Sequence, residues 1–438
     1  MRIGYLFVWW PLRYSLRLFY RSIELINSPK SYFGRTIFMS NHSASFMDPL
    51  VIACFRKPIV FFMTRSDVFS ALTKHFMWSM HMLPIYRQLD GVNTKEKNAE
   101  VFKDCSKVLK GKRNLLVFAE GFTDDVFVRR LKPIKKGAIR IGFSALEYMD
   151  WSEKIYIAAI GCNYTEPNRM RSDLLIATSE SICLNDHRKQ YEENPNKVIS
   201  ELTLLAGKMM REQITHIENP HLTSLHETIM ILTRRGMNSE SYNEKLSLRD
   251  RYDYSKRLAN WMNQEPIDRL EPLKEVSEKY VQALSTKNIT DDEIWRIKNG
   301  QLKISQQIIL LLLLIPFNII GAIHCALPYF AVKYFVENKF KRVVFWGSTK
   351  MLLLMILIGV VNIPIIFLFD DIFHLSNWWG FVYYLFIGVN GLCFYKSFTT
   401  AKNLIRIFKI KGENFDEFYQ KRDELNLLLE NTIPRELL

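Results

Sequence analysis

One histidine and one aspartate near the N-terminus have the types and the spacing for acid–base chemistry. The stretch Ser40–Pro49 reads SNHSASFMDP and places five residues between His42 and Asp48. A carboxylate bonded to one ring nitrogen fixes the imidazole tautomer, and the other nitrogen is then a better base toward a hydroxyl. Asp48 can fold back onto His42 if this loop makes a helical turn. By itself the pattern also fits two polar residues that share a loop by chance.

A second candidate carboxylate follows a predicted buried strand. The stretch NLLVFAEGF, residues 114–122, predicts a strand that runs into Glu120 and Gly121. A carboxylate at that place needs a partner or solvent. The cationic run that follows it contains Arg129, Arg130, Lys132, Lys135, Lys136 and Arg140. Lys135 and Lys136 stand just before a glycine that opens a predicted helix, an arrangement that suits a phosphate group. The alternative is a solvated basic loop.

The elements that must position these residues predict an α/β domain over residues 34–185, with a central mixed sheet flanked by helices. Five short apolar runs predict strands: RTIFMS, PIVFFMT, NLLVFAEG, KIYIAAIGCNY and SDLLIATSES. Helical patterns such as TKEKNAEVFKDCSKVLKGKR lie between them. Strands that alternate with helices are typical of α/β domains, which place their sites at strand ends.

The remaining segments differ from this domain in composition. Residues 1–33 interleave aromatics with arginines at helical spacing, which predicts an interfacial amphipathic helix and not a cleaved signal peptide. A soluble helix packed on the core is the alternative. Residues 186–300 predict charged amphipathic helices of unassigned role. Three histidines in this region are five residues apart and interrupted by a proline, which does not match zinc ligation: His216, His221 and His226.

From residue 301 onward the chain predicts membrane helices. Residues 301–335 are apolar but have basic residues on both flanks, so we expect a re-entrant or interfacial helical pair, with a full span or a buried soluble hairpin as alternatives. Residues 351–398 predict a transmembrane hairpin, and residues 399–438 a cytoplasmic tail. The basic loops place the catalytic side in the cytoplasm.

Composition narrows the partners. Lysine and arginine total 59 against 45 acidic residues, a net charge of +14, which favours an anionic partner: nucleic acid, an acidic membrane or a phosphorylated substrate. The basic residues form no recognised nucleic-acid module, so no nucleic-acid partner is expected. The six cysteines include no CxxC pair, and we expect neither disulfides nor a metal site. Nothing in the sequence indicates an oligomeric state.

Four motif blocks, in order, resemble those of the glycerolipid acyltransferases: NHSASFMDP, LPIYRQLDG, VFAEGFTDD with LKPIKKGAIRIG, and GCNYTEPNRMRS. The five-residue spacing between His42 and Asp48 is similar to the fungal-type glycerol-3-phosphate/dihydroxyacetone-phosphate branch. The resemblance implies His42 as general base and Asp48 as its support. It implies substrate-binding roles for Arg87, Glu120, Gly121, Lys135, Lys136, Arg169 and Arg171. Ala119 replaces the family's common proline, and no arginine directly follows the third block, so phosphate contact there is left to the later basic run.

The resemblance implies acylation of the sn-1 hydroxyl of glycerol 3-phosphate or dihydroxyacetone phosphate. The co-substrate is acyl-CoA or acyl carrier protein, and no metal or other cofactor is implied. Such an integral membrane enzyme, with its active site facing the cytoplasm, fits a bacterial inner membrane or the endoplasmic reticulum. Two alternatives remain: acylation of lysophosphatidate, and a noncatalytic basic protein that binds lipid at the membrane surface.

Overall fold

The computed structural model describes residues 3–27, 34–55, 60–70, 73–86, 94–374, 376–410 and 414–438. Arg87 of the second motif block lies outside these ranges. The chain forms two compact units. The first comprises Met1–Tyr14, Ser22–Pro167 and Ser172–Pro220, and the second comprises Ser15–Arg21, Asn168–Arg171 and His221–Leu438.

The first unit is built on one mixed sheet. Its seven strands, counted over the described residues, are β1 (Ser22–Ile26), β2 (Thr36–Ser40), β3 (Val60–Arg65), β4 (Met82–Ile85), β5 (Asn114–Phe118), β6 (Tyr156–Tyr164) and β7 (Asp173–Cys183). Their order across the sheet is β1-β7-β6-β2-β5-β3-β4. Only the β6–β7 pair is antiparallel among these neighbours. The predicted α/β fold with a mixed sheet is therefore confirmed.

All five strands predicted from apolar runs are present, and two further strands occupy the two edges. β1 has the sequence SIELI and is largely exposed, and β4 is four residues long and contains Pro84. Short, partly exposed strands, and strands that contain proline, are typical of sheet edges. Such strands carry little of the apolar pattern on which the prediction depended.

Helices cover the faces of this sheet. Those of the first unit are α1 (Ile3–Phe19, through Tyr14), α2 (Met47–Phe55), α3 (Lys74–Ser79), α4 (Thr94–Lys110), α5 (Gly137–Tyr148), α6 (Arg188–Glu193) and α7 (Pro195–Glu212). The core between sheet and helices is aliphatic, with Ile37, Leu115 and Ile157 from adjacent strands at 0–2% exposure. This rigid core fixes the strand ends from which the loops of the site emerge.

Helix α1 is anchored on the first unit by its polar edge and leaves part of its aromatic face exposed. The Tyr5 hydroxyl and the Trp9 indole both donate to the carbonyl of Ala53 in α2. Phe7 and Trp10 are 77% and 66% exposed. One part of the helix therefore packs on the core, and another part exposes aromatic side chains, as an interfacial helix does. The sequence had given core packing and an interfacial position as alternatives.

The second unit is helical. Its helices are α8 (Thr223–Thr233), α9 (Leu248–Met262), α10 (Ile267–Thr286), α11 (Asp291–Lys298), α12 (Ile304–Leu313), α13 (Ile315–Gly321), α14 (Leu327–Lys339), α15 (Trp346–Val361), α16 (Ile363–Phe373), α17 (Asn377–Ile410) and α18 (Asp416–Thr432). The C-terminal helix α18 packs on the charged helices, where the buried Arg422 guanidinium donates to both oxygens of Asp291 at 2.8 and 3.3 Å. The predicted tail is thus joined to the predicted charged region.

Two helical stretches among the described residues are long and apolar enough to cross a membrane, Ile315–Lys339 and Val343–Ile365, and both are mostly exposed in the protein. Composition and length alone support this reading. A π-helical turn, Ala322–Ala326, interrupts the first stretch. At that turn His324 contacts Asn362 through Nδ1 at 2.9 Å and Tyr383 through Nε2 at 2.7 Å.

Candidate active site

The site is formed where three adjacent parallel strands end. β2 pairs with β5 on one side and with β6 on the other, and Ser40 is opposite both Phe118 and Ile160. The residues that follow these positions, or lie near the end of the longer β6, therefore meet at one edge of the sheet. Carboxyl ends of parallel strands are where α/β folds place ligand and reaction sites. His42, Glu120 and Tyr164 all come from this edge.

His42 and Asp48 form the expected pair. His42 Nδ1 lies 3.0 Å from Asp48 Oδ2, and the imidazole stacks on the ring of Phe118 at a centroid distance of 4.2 Å. The aspartate side chain is fully buried, whereas that of His42 is 21% exposed. With Nδ1 directed to the carboxylate, Nε2 is the nitrogen left to accept a proton from a bound molecule.

Three donors converge on the buried Asp48 carboxylate. Besides His42, the backbone N–H of Ala44 donates to Oδ2 at 2.9 Å. The Tyr164 hydroxyl donates to Oδ1 at 2.8 Å. A buried charge without partners would be strongly destabilising, and these donors compensate it. Asp48 also lies in the first turn of α2, where the helix dipole favours a negative charge.

The five-residue spacing is accommodated by a turn at Ser45. This residue is buried and has a φ of +51°, in the left-handed region. The N–H groups of Met47 and Asp48 donate back to the carbonyls of Ala44 and Ser45. The loop thus makes the helical turn that the spacing required, and the left-handed residue lets five residues fit between the histidine and the aspartate.

Glu120 fixes the backbone of the histidine loop. Its Oε1 accepts the His42 N–H at 2.7 Å, and its Oε2 accepts the Lys132 N–H at 3.2 Å. The Lys132 ammonium is 3.9 Å from Oε2. Burial raises the pKa of Glu120, and the two backbone donors and Lys132 oppose that rise. Glu120 therefore binds two backbone N–H groups and lies near the Lys132 ammonium, and its substrate-binding role remains a prediction.

The basic run after Glu120 is not a uniformly solvated loop. Arg129 is buried and donates to the carbonyls of Tyr164 and Thr165 at 2.7 and 3.3 Å. Lys132 is also buried, 3.1 Å from an Asp124 carboxylate oxygen. Both cations are therefore committed to holding the loop.

Lys135 and Lys136 point to different surroundings. Gly121 has a φ of +79°, and a Cβ atom there would lie 2.8 Å from Lys135 Nζ, so the ammonium lies directly over this glycine. Lys136 Nζ instead donates to Ser200 Oγ at 2.6 Å. The positive φ at position 121 favours glycine, and the absence of a Cβ atom there leaves room for the Lys135 side chain. Lys135 is the member of the pair beside Glu120 and the histidine loop.

The two arginines within the fourth block, Arg169 and Arg171, belong to the second unit. Arg169 donates to the carbonyl of Ser239 at 3.1 Å. Arg171 donates to the carbonyls of Leu18 and Tyr20 at 3.3 and 3.1 Å, and its own φ is +65°. Their substrate-binding roles remain predictions, as does the role of Arg87.

Two functional contacts were not predicted from the sequence. Tyr164 belongs to the fourth motif block but had no predicted role, although it is the last residue of β6, the strand next to β2. Asn41 stands beside His42 and joins β2 to β6, because its amide donates to the Cys162 carbonyl and accepts the Cys162 N–H. Both residues lie at strand ends beside polar motif residues, and this placement could have indicated a role from the sequence. Among the described residues, no group of three or more His, Cys, Asp or Glu side chains is placed to hold a metal ion.

The arrangement is suited to taking a proton from a hydroxyl. Asp48 holds the imidazole by Nδ1, so Nε2 is the nitrogen that can take a proton, and the carboxylate can stabilise the imidazolium that forms. The Lys135 ammonium over Gly121 can attract an anionic group on the same substrate. These parts serve an alcohol that also carries a phosphate.

We expect the left-handed turn to tolerate glycine and not a β-branched residue. Ser45→Gly removes the steric cost of positive φ and should keep the melting temperature and turnover close to those of the wild type. Ser45→Val should reduce the free energy of unfolding by about 1–3 kcal/mol and lower turnover, because Asp48 is displaced from His42. Ser43→Val, in the same loop without positive φ, is the control. Equal behaviour of Ser45→Val and Ser43→Val would contradict this role of the turn.

Comparison with known proteins agrees with this site. The family model described as Acyltransferase matches residues 22–163, a range that contains β1 to β6 except for its final residue, together with His42, Asp48 and Glu120. No curated protein matches the chain. The match supports an acyltransferase, and over these residues the chain is similar to that family.

Proposed function

We propose that the protein is a membrane-bound O-acyltransferase that acylates the sn-1 hydroxyl of glycerol 3-phosphate or dihydroxyacetone phosphate. The donor is acyl-CoA or acyl carrier protein, and the reaction is the first step of phospholipid synthesis. The observation that carries the proposal is the 3.0 Å contact between His42 Nδ1 and the fully buried carboxylate of Asp48. This contact leaves Nε2 at the exposed edge of the site as a base for an alcohol.

The reaction follows from this geometry. Nε2 of His42 takes the proton of the acceptor hydroxyl while its oxygen attacks the carbonyl carbon of the thioester. The tetrahedral intermediate collapses, the carbon–sulfur bond breaks, and the thiolate leaves and is protonated. Asp48 stabilises the imidazolium that forms during attack. The alcohol is itself the nucleophile, so no acyl group is attached to the protein at any stage.

The acceptor phosphate is assigned to Lys135. Its ammonium lies over Gly121, next to the carboxylate that holds the His42 backbone, whereas Arg129 and Lys132 are occupied by carbonyls and carboxylates. Lys136, Arg87, Arg169 and Arg171 remain candidates for the acceptor or for the anionic donor. A phosphate held by an ammonium gains a charge-assisted contact.

Lysophosphatidate is the alternative acceptor. The same base and the same phosphate site serve it, and it would also require an apolar groove for the acyl chain already present. A noncatalytic role in lipid binding at the membrane surface is less consistent with the site, because an isolated basic surface has no use for a buried Asp48 directed at His42.

The apolar helices support attachment to a membrane. Within the second unit, Asn318 contacts Ser397 of α17, and His324 contacts Tyr383, which lies earlier in the same helix. After the π-helical turn, Phe330 contacts Phe398, which is adjacent to the partner of Asn318. This path supports a re-entrant segment.

The remaining helices fit a hairpin. Lys350 at the start of α15 pairs with Glu337 at the end of α14, at 2.6 Å. Asn362, just after α15, contacts His324. We propose that the chain crosses the membrane along α15 and returns along α17, whose Arg406 pairs with Glu293 of the charged helices at 2.6 Å. Both ends of the apolar region then lie on one side, as an even number of crossings requires. The exposed aromatics of α1 are proposed to rest in the same interface.

The acceptor is tested with the purified protein in detergent and labelled acyl-CoA. Glycerol 3-phosphate, dihydroxyacetone phosphate and lysophosphatidate are offered separately, and acyl carrier protein replaces CoA as donor in a second series. We expect labelled monoacyl product from one of the first two acceptors. Product from lysophosphatidate alone would move the enzyme to the second acylation, and no product with either donor would contradict the proposed activity.

His42→Gln should lower turnover by about 10²–10⁴-fold, the usual contribution of a general base. Thermal unfolding should change little, because the side chain is partly exposed and glutamine retains a donor toward Asp48. His187→Gln, outside the site, should retain wild-type turnover. Wild-type turnover in His42→Gln would exclude the proposed base.

Lys135→Gln should raise KM for the phosphate-bearing acceptor by about tenfold or more while changing kcat little, because a charge-assisted contact to the ground-state phosphate is lost. Lys136→Gln is the matched control and should change this KM by less than about twofold, because the Lys136 ammonium is bound to Ser200. Equal effects of the two substitutions on the acceptor KM would contradict the assignment. A rise in the KM for acyl-CoA alone would assign Lys135 to the donor.

The membrane path is tested by labelling single cysteines in sealed vesicles, in a variant whose six native cysteines are replaced by serine. We expect Gln301→Cys and Lys341→Cys to react with an impermeant maleimide from the same side, and Asp371→Cys from the other. Opposite sides for positions 301 and 341 would show that the first apolar stretch crosses the membrane.

A further inference from the structure

We infer that Tyr164 is a positioning residue for the acid–base pair: its hydroxyl fixes the Asp48 carboxylate so that the other oxygen faces His42. This inference rests on the proposed acyl transfer at His42 and extends it to a residue that touches no substrate. It concerns a single hydrogen bond, from Tyr164 Oη to Asp48 Oδ1 at 2.8 Å.

The two carboxylate oxygens have separate duties. Oδ2 accepts from the His42 imidazole and from the Ala44 N–H, and Oδ1 accepts from Tyr164. Asp48 and Tyr164 are both 0% exposed. A carboxylate held by donors on both oxygens cannot rotate about its Cβ–Cγ bond without losing a contact that water does not replace.

Tyr164 is itself held rigidly. It is the last residue of β6 and pairs with Leu174 of β7. Its carbonyl accepts from the buried Arg129 guanidinium at 2.7 Å, and its ring packs edge-on against Phe127. The hydroxyl therefore has a fixed position relative to the sheet, and it transfers this position to Asp48. This also gives the buried Arg129 a place in the site, as the support of Tyr164.

The hydroxyl influences His42 through the distribution of negative charge. While Tyr164 donates to Oδ1, part of the carboxylate charge is held there. Without that donor, more of the charge acts on the imidazolium through Oδ2. Loss of the hydroxyl should thus shift the acid limb of the kcat/KM profile to higher pH, in addition to loosening the geometry.

The test compares Tyr164→Phe with Tyr280→Phe. Tyr280 is the matched control because its buried hydroxyl also donates to a carboxylate, that of Asp291 at 2.6 Å, in the helical unit. We expect Tyr164→Phe to lower kcat by about 10–100-fold, to leave both KM values near those of the wild type and to shift the acid limb upward. Tyr280→Phe should leave kcat and the pH profile unchanged. An unchanged kcat and pH profile in Tyr164→Phe would overturn the inference.

A second variant covers the case in which Tyr164→Phe does not fold. Site-specific replacement of Tyr164 by 3-fluorotyrosine keeps the hydroxyl and makes it a stronger donor. The acid limb should then shift to lower pH, opposite to the phenylalanine variant. A shift in the same direction as Tyr164→Phe, or none, would contradict the inference.

A readout without turnover separates this inference from the proposed reaction. The proton NMR signal of the His42 Nδ1–H, identified by its loss in His42→Gln, should move downfield in Tyr164→Phe and remain in place in Tyr280→Phe. If the wild type transfers no acyl group but this signal moves, the proposed function fails and the positioning role stands. If the wild type is active and the signal does not move, the positioning role fails alone.

Discussion

The candidate site depends on the compensation of one buried negative charge. Asp48 has no exposed surface, and its carboxylate is compensated by His42, Ala44 and Tyr164. An ionised carboxylate without such donors would be neutralised or would destabilise the fold. Two donors come from the loop after β2, the His42 ring and the Ala44 N–H, and the third comes from the end of β6. The charge therefore specifies how the loop, the strand and helix α2 must meet.

The Glu120 carboxylate, at the end of the neighbouring strand β5, also joins separate parts of the chain by accepting hydrogen bonds. Its oxygens receive N–H groups from the histidine loop and from the basic loop, so two segments without regular structure are joined across the end of β5. The consequence is a preorganised site, in which the histidine backbone is held by one carboxylate and its ring by another. Preorganisation of this kind is what allows a base to act without reorganising at the moment of reaction.

Much of this could be predicted from local pattern. The five central strands follow from apolar runs, and the His42–Asp48 pair from residue type and spacing. The edge strands β1 and β4 could not be found in this way, because an edge strand is short and buries little. The partner of Asp48 Oδ1 was also beyond reach, since it depends on β6 lying next to β2, more than a hundred residues along the chain. Glu120 shows the same limit: its need for a partner could be anticipated, but not the use of both oxygens for backbone groups.

In the proposed mechanism, His42 acts as a base on the acceptor alcohol and carries no acyl group itself. Rapid mixing of the purified protein with a stoichiometric amount of labelled acyl-CoA, with and without the acceptor, tests this directly. We expect no burst of free CoA and no label on the protein until the acceptor is added. After that, CoA should be released at the same rate as product forms. A stoichiometric burst of CoA with label bound to the protein before acceptor is added would contradict it.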